Sequence, residues 1–228
     1  MRKLILTLLI IAVGIYIGYQ ELESQAPDIE YQQVESTAEQ ALSEIRVSAY
    51  DHRKDYDRKA QFGNPWLDID RNGCDTRNDI LNRDLDRKKF KPGSDCVITS
   101  GTMTDPYTGQ TIIFNRGEGP NQDGWIQIDH VISLHNAWVT GAQDWSQSQR
   151  EEFANDPLNL LAVSSDANRE KSNLSFHEWQ PENDAYLCDF TGRYIAVKHK
   201  YDLSVTVSEK DALENALNSC PNLSLPTN

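Results

Sequence analysis

The chain is short of positive charge. Its 22 lysines and arginines stand against 35 aspartates and glutamates, a formal net charge of −13 over 228 residues. Arg2 and Lys3 lie in an N-terminal segment without acids, so residues 21–228 carry −15. Nucleic-acid binders are usually basic, so this balance argues against tight, general binding of polyanions, while leaving room for a locally basic cleft. Solubility is the plainer use of an acidic surface. Cysteine is also scarce: there are four, with no Cys-x-x-Cys pair, which speaks against a zinc knuckle. Internal repeats and low-complexity tracts are absent, so the length reads as one ordinary domain with a real core.

What is present begins with a targeting segment. Met1-Arg2-Lys3 is a short positive start, and Leu4 to Tyr19 follow without a charge. Sixteen residues are long for a signal-peptide core and short for a membrane span, and no clear small-x-small cleavage site follows. Residues 1–20 are therefore a signal peptide or an N-terminal membrane anchor. Either sends the rest out of the cytoplasm, to the periplasm or the medium, and membrane contact is expected only through residues 4–19 if they stay uncleaved. Residues 21–34 are a polar linker, and 35–228 are the domain. Export suits Cys74, Cys96, Cys188 and Cys220, which allow three disulfide pairings. Nearness in sequence favours Cys74–Cys96 and Cys188–Cys220 over the other pairings and over free buried thiols.

Along the domain, Ser36-Thr37-Ala38-Glu39 has a capping pattern for a helix to about Ile45. The mixed charges of Arg46 to Lys59 fit a solvated face as well as phosphate contact. Asp68 to Arg77 is a turn leading to a helix capped by Asp75 or Thr76. A calcium loop there would lack its twelfth-position glutamate, since that place holds Asp79. Arg83 to Lys91 is locally basic, a candidate for backbone phosphate or a plain exposed surface. Cys96–Thr99 and Thr111–Phe114 are expected strands, joined through Asp105-Pro106-Tyr107-Thr108-Gly109. Residues 184 to about 201 and 207–218 are expected helices, the second capped by Ser208, both packing outside the core.

The informative stretch is 125–172. An apolar run ends in Asp129-His130, a second follows Asn159, and Asn168 sits one turn into an expected helix. Phosphodiester hydrolysis needs a positioned water, a base for its proton and positive charge near the leaving oxygen. Neutral His130 can be the base. Asp129 and Asn168 supply a carboxylate and an amide oxygen, leaving most of a shell to water and phosphate, as Mg²⁺ is usually held. Neighbouring side chains on a strand point oppositely, so a bend must bring Asp129 and His130 to one cleft. Asn159 is expected to bridge the loop beside His130. Arg150, Arg169 and Lys171 are candidates for binding phosphate or stabilising developing charge. His135 and His177 are expected to be structural.

Asp129-His130-Val131, Asn159 and Asn168 resemble the HNH nuclease motif, and Ser165 to Ser172 is similar to the Asn-containing helix in the HNH domain of CRISPR effectors. More of the chain resembles exported HNH proteins related to the C-terminal nuclease domain of GmrSD-type restriction enzymes. The shared residues include Tyr56-Asp57-Arg58, Phe62-Gly63, Trp66, Gly73-Cys74-Asp75-Thr76-Arg77, Asp105 to Gly109, Ala137-Trp138, Trp145, Arg150, Phe153-Ala154-Asn155-Asp156 and Trp179-Gln180-Pro181. The resemblance implies a single α+β domain with an embedded ββα-metal site. It makes His130 the general base, Asn159 the residue that orients its loop, and Asp129 and Asn168 the ligands of one divalent ion. Many HNH enzymes carry His at the last position; the amide of Asn168 favours Mg²⁺, or Mn²⁺, over zinc.

The expectation is metal-assisted hydrolysis of DNA, with RNA left open as an alternative substrate, and with little sequence preference, since no helix-turn-helix or zinc finger accompanies the site. The rivals are an inactive HNH scaffold that binds nucleic acid and an envelope protein that binds a partner through its acidic surface. No particular protein partner is indicated.

Overall fold

The computed structural model describes residues 37–119 and 123–226, so the expected signal or anchor (1–20) and linker (21–34) lie outside the described residues. Helix α1 (Ala38–Glu44) opens on a reciprocal cap between Thr37 and Gln40. Helix α2 (Arg58–Phe62) is capped by Asp57 and ends at Gly63, whose φ of 72° only glycine takes freely. Helix α3 (Thr76–Asp84) starts from Asp75, which accepts from Asn78 N. Three antiparallel strands follow, β1 (Asp86–Phe90), β2 (Ile98–Thr104) and β3 (Thr111–Asn115), in that spatial order. Most of the basic stretch Arg83–Lys91 forms strand β1, which was not expected there, and its side chains are exposed as a surface reading requires. It is an edge strand with exposed side chains, so its composition stays polar. Arg83 meanwhile pairs with Asp84 and donates to the Pro157 and Leu160 carbonyls.

The second sheet is the frame of the molecule. Strand β4 (Ile126–His130) is followed by helices α4 (Leu134–Thr140) and α5 (Gln147–Ala154), then by β5 (Leu160–Ser164) and helix α6 (Ser165–Lys171). The strands pair antiparallel, Ile128 opposite Ala162 and His130 opposite Leu160. Strand alternation divides their side chains. Ile126, Ile128, Leu160 and Ala162 pack with Ile80, Leu81, Ile98, Met103 and Phe114 under the three-stranded sheet. Leu161 and Val163 join a larger core with helix α7 (Leu187–Lys200).

The C-terminal helices depart from expectation. Phe190, Tyr194, Ile195 and Val197 are buried, so α7 runs through the larger core instead of lying outside it. Lys198 is fully buried as well, because its ammonium meets Asn136 Oδ1 at 2.6 Å, the Ser204 carbonyl at 2.9 Å and Glu209 at 3.6 Å. A charged letter therefore does not mark the outer face here. Helix α8 (Val207–Leu217) is capped by Thr206 and Glu209 in a reciprocal box, not by Ser208.

Disulfides join Cys74 to Cys96 and Cys188 to Cys220, across separations of 22 and 32 residues. In the chain-entropy account each is worth about 3.5 kcal/mol. One fastens α3 to the chain entering β2, and the other fastens the start of α7 to the chain beyond α8. The described residues form one α+β domain, and its β4–β5–α6 unit is the ββα arrangement that the motif implied.

Candidate active site

Gln127 and Asp129 project from one face of β4 and His130 from the other, yet all three line one cleft of about 500 Å³ at the strand's end. The chain turns there because of Asn159, which is fully buried. Its Oδ1 accepts from Ile132 N at 2.8 Å, its Nδ2 donates to the Ile132 carbonyl at 3.2 Å, and its own carbonyl accepts from Val131 N at 2.8 Å. One side chain thus satisfies the backbone just beyond His130, where sheet pairing has stopped.

His130 is 7 % exposed, and its Nε2 lies 2.8 Å from the Ala154 carbonyl. A carbonyl only accepts, so Nε2 carries the proton and Nδ1 keeps the lone pair. Burial pushes the imidazole down to about 3, with Arg58 and Lys171 acting the same way and the Ala154 carbonyl opposing. At neutral pH the ring is an uncharged base.

Asp129 is 4 % exposed and well satisfied. Tyr107 donates its hydroxyl at 2.6 Å, and the Lys171 ammonium sits 3.0 Å from Oδ2 and 3.1 Å from Oδ1. Burial raises the carboxyl above the ordinary carboxylate range, against the pull of Lys171 and Tyr107. The turn expected at Asp105–Gly109 is what places Tyr107. Asp105 is buried, accepting from Ser164 N at 3.1 Å, which ties the turn to the β5–α6 junction.

Asn168, on α6, donates to Gln127 Oε1 at 2.8 Å. It lines the same cleft as Asp129. Among the described residues, no three His, Cys, Asp or Glu side chains form a metal-holding group. The donors are one carboxylate and one amide oxygen. So sparse a set leaves most of a coordination shell to water and phosphate, and it is not the ligand set of a dehydrated zinc centre.

The proposed phosphate contacts are dispersed. Lys171 is 1 % exposed, donating to Asp129 and, at 2.9 Å, to the His130 carbonyl, so its charge is spent inside and not on solvent. Arg150 does not line the cleft; it braces α5 by donating to the Gln61 carbonyl at 2.7 Å and to Trp145 O. Arg169 lines the cleft while paired with Asp166. His135 also lines it, edge-on to Tyr56 with 5.1 Å between ring centroids, and 3.2 Å from the Asn173 amide. His177 lies off the cleft, bonded to Ser175 at 2.7 Å.

Sequence reasoning missed the role of Arg58. It lines the cleft, depresses His130 and, among the described residues, pairs with no carboxylate. Tyr56 and Trp66 also went unassigned, although all three belong to the run of residues that carried the resemblance. Gln127 and Tyr107 left no local signal, since each acts on a partner 22 or more residues away.

Residues 75–216 match the family model described as GmrSD restriction endonucleases, C-terminal domain. A protein of Arthroderma benhamiae named "Uncharacterized secreted protein" is 37 % identical over 187 residues, which cover 81 % of this chain and 85 % of that protein. No solved structure matches.

Proposed function

Since the chain belongs to the family of GmrSD restriction endonuclease C-terminal domains, we propose that it is an exported, HNH-type endonuclease that hydrolyses DNA with little sequence preference, RNA being the alternative substrate. One observation carries this reading: a neutral His130, with its tautomer set by Ala154, shares a cleft with Asp129, Asn168 and Arg58, which has no carboxylate partner among the described residues. Nδ1 of His130 takes the proton of the attacking water. Arg58 holds a phosphoryl oxygen by a charge-assisted hydrogen bond. Asn159 keeps the chain after His130 in place, while Lys171 and Tyr107 fix the Asp129 carboxylate. Asp129 and Asn168 would hold one Mg²⁺ or Mn²⁺ ion, which when bound supplies positive charge beside the scissile phosphate. Two disulfides and a relative named as secreted support export.

The test is plasmid and RNA cleavage by the disulfide-bonded protein with Mg²⁺, with EDTA, and as His130→Ala. Cleavage should need metal and should fall by about 10²–10⁴ in the variant, the usual cost of losing a general base. Equal cutting by the variant would remove His130 from the mechanism. A wild type inert with Mg²⁺, Mn²⁺ and Ca²⁺ alike would leave a binding scaffold as the better reading.

A further inference from the structure

Next to the cleft lies a second cavity of about 370 Å³. Its walls are mainly apolar: Phe62, Pro65, Trp66, Leu134 and Ala154. It shares Arg58, His130 and Leu134 with the cleft, so the two adjoin at the imidazole. Trp66 lies nearly parallel to that imidazole, 13° between planes and 6.0 Å between centroids. It does so from a φ of 62°, a backbone conformation costly for a large side chain and kept only where the surroundings enforce it. Arg58 and Lys59 put two cations at the rim. The nearest acid in sequence, Asp57, is occupied in capping Ala60 N at 2.8 Å.

An aromatic-walled slot with cations at its mouth, opening beside a phosphodiester site, matches a flat heterocycle joined to a phosphate. We propose that this slot receives one unstacked nucleobase of the strand being cut, adjacent to the phosphodiester held at His130. The proposal rests on the nuclease reading above and adds substrate class to it. A base inside a duplex is not free to enter, so the preferred substrate is single-stranded or locally unpaired nucleic acid. Every base has a flat face, so such a slot positions the strand without reading its sequence.

The test uses the full disulfide-bonded chain with Mg²⁺ on end-labelled single-stranded oligonucleotides, DNA and RNA of one sequence, each with one abasic residue. Cleavage at one fixed offset from the abasic residue should fall about 5- to 150-fold below that at neighbouring bonds, the range expected for one lost stacking contact. Trp66→Ala should erase this gap, and Trp66→Phe should keep it. A gap in both nucleic acids assigns the slot to the base alone, and a gap in one assigns that strand class. Because each lane is its own reference, lower overall activity in a variant does not matter. If Trp66→Ala does not fold, the wild-type scan still decides.

Uniform cleavage around the abasic residue, or equal rates on a paired duplex, would overturn the proposal while leaving the nuclease reading intact. If no oligonucleotide is cut with any metal, the nuclease reading falls first. Metal-free anisotropy with His130→Ala then examines the slot by itself: tighter binding of the intact strand keeps it, and equal binding of intact and abasic strands removes it.

Discussion

His130 is held neutral by burial, with the positive charges of Arg58 and Lys171 adding to the effect. The acid limb of a kcat/KM profile reports the essential base of the free enzyme. A base at about 3 stays unprotonated through the pH range in which an ordinary histidine, near 6.5, would charge. The acid limb should therefore lie below pH 6.5. Replacing Arg58 by alanine takes away a cation that disfavours the imidazolium, so the limb should move to higher pH. In the same variant kcat/KM on its alkaline side should fall about 10- to 150-fold, the worth of a hydrogen bond to a charged group. A lower plateau with an unmoved limb would mean that Arg58 binds substrate without bearing on the base. The pH profile and the plateau thus separate two things one guanidinium does.

Helix α6 joins the two halves of the site, since Asn168 stands in the cleft and Lys171 ends beneath β4. The pieces legible in the sequence were those with local cause. The short apolar runs of β4 and β5, the opposed directions of Asp129 and His130, and the turn at Asp105–Gly109 all follow from neighbours a few residues apart. Lys171 was not legible: it reads as one of several cations near the motif, and only the fold brings it to a carboxylate 42 residues away. The same holds for Lys198, whose burial against Asn136, 62 residues away, no local pattern announces, and for β1, whose exposed side chains hide a strand. An ion pair this buried makes a definite claim on stability. Lys171→Met should leave Asp129 uncompensated and cost about 3–5 kcal/mol, roughly 6–20 °C in Tm for a domain of this size. Adding Asp129→Asn to it should recover much of the loss, because two neutral groups no longer demand a counter-charge. Thermal denaturation of wild type, both single variants and the double variant checks this. If Lys171→Met melts within a degree of wild type, the pair does not exist as drawn, and Lys171 returns to the list of groups free to meet phosphate.

A chain with a formal charge of −13 approaches a polyanion against its own field, and its cleft has few cations to offset that. Arg58 and Lys59 stand at the rim without carboxylate partners among the described residues, whereas Arg169 is paired with Asp166 and Lys171 is buried. Each phosphate neutralised on a single strand contributes about −0.7 to the slope of log affinity against log salt, so two contacts give about −1.4. Repulsion by the rest of the surface is screened as salt rises, over about 10 Å at 0.1 M, which flattens the slope further. At fixed metal concentration, raising NaCl from 50 to 200 mM should therefore raise KM for a single-stranded oligonucleotide by no more than about sevenfold. Arg58→Ala should lower the magnitude of the slope by about 0.7. A steeper wild-type slope would mean that more phosphates are held than these two cations can hold. The basic residues of β1, Arg87, Lys88 and Lys89, would then be the first place to look for a longer binding track. A shallow slope that Arg58→Ala reduces further would place recognition at the cleft and its rim, with the acidic remainder of the molecule limiting how long any strand stays bound.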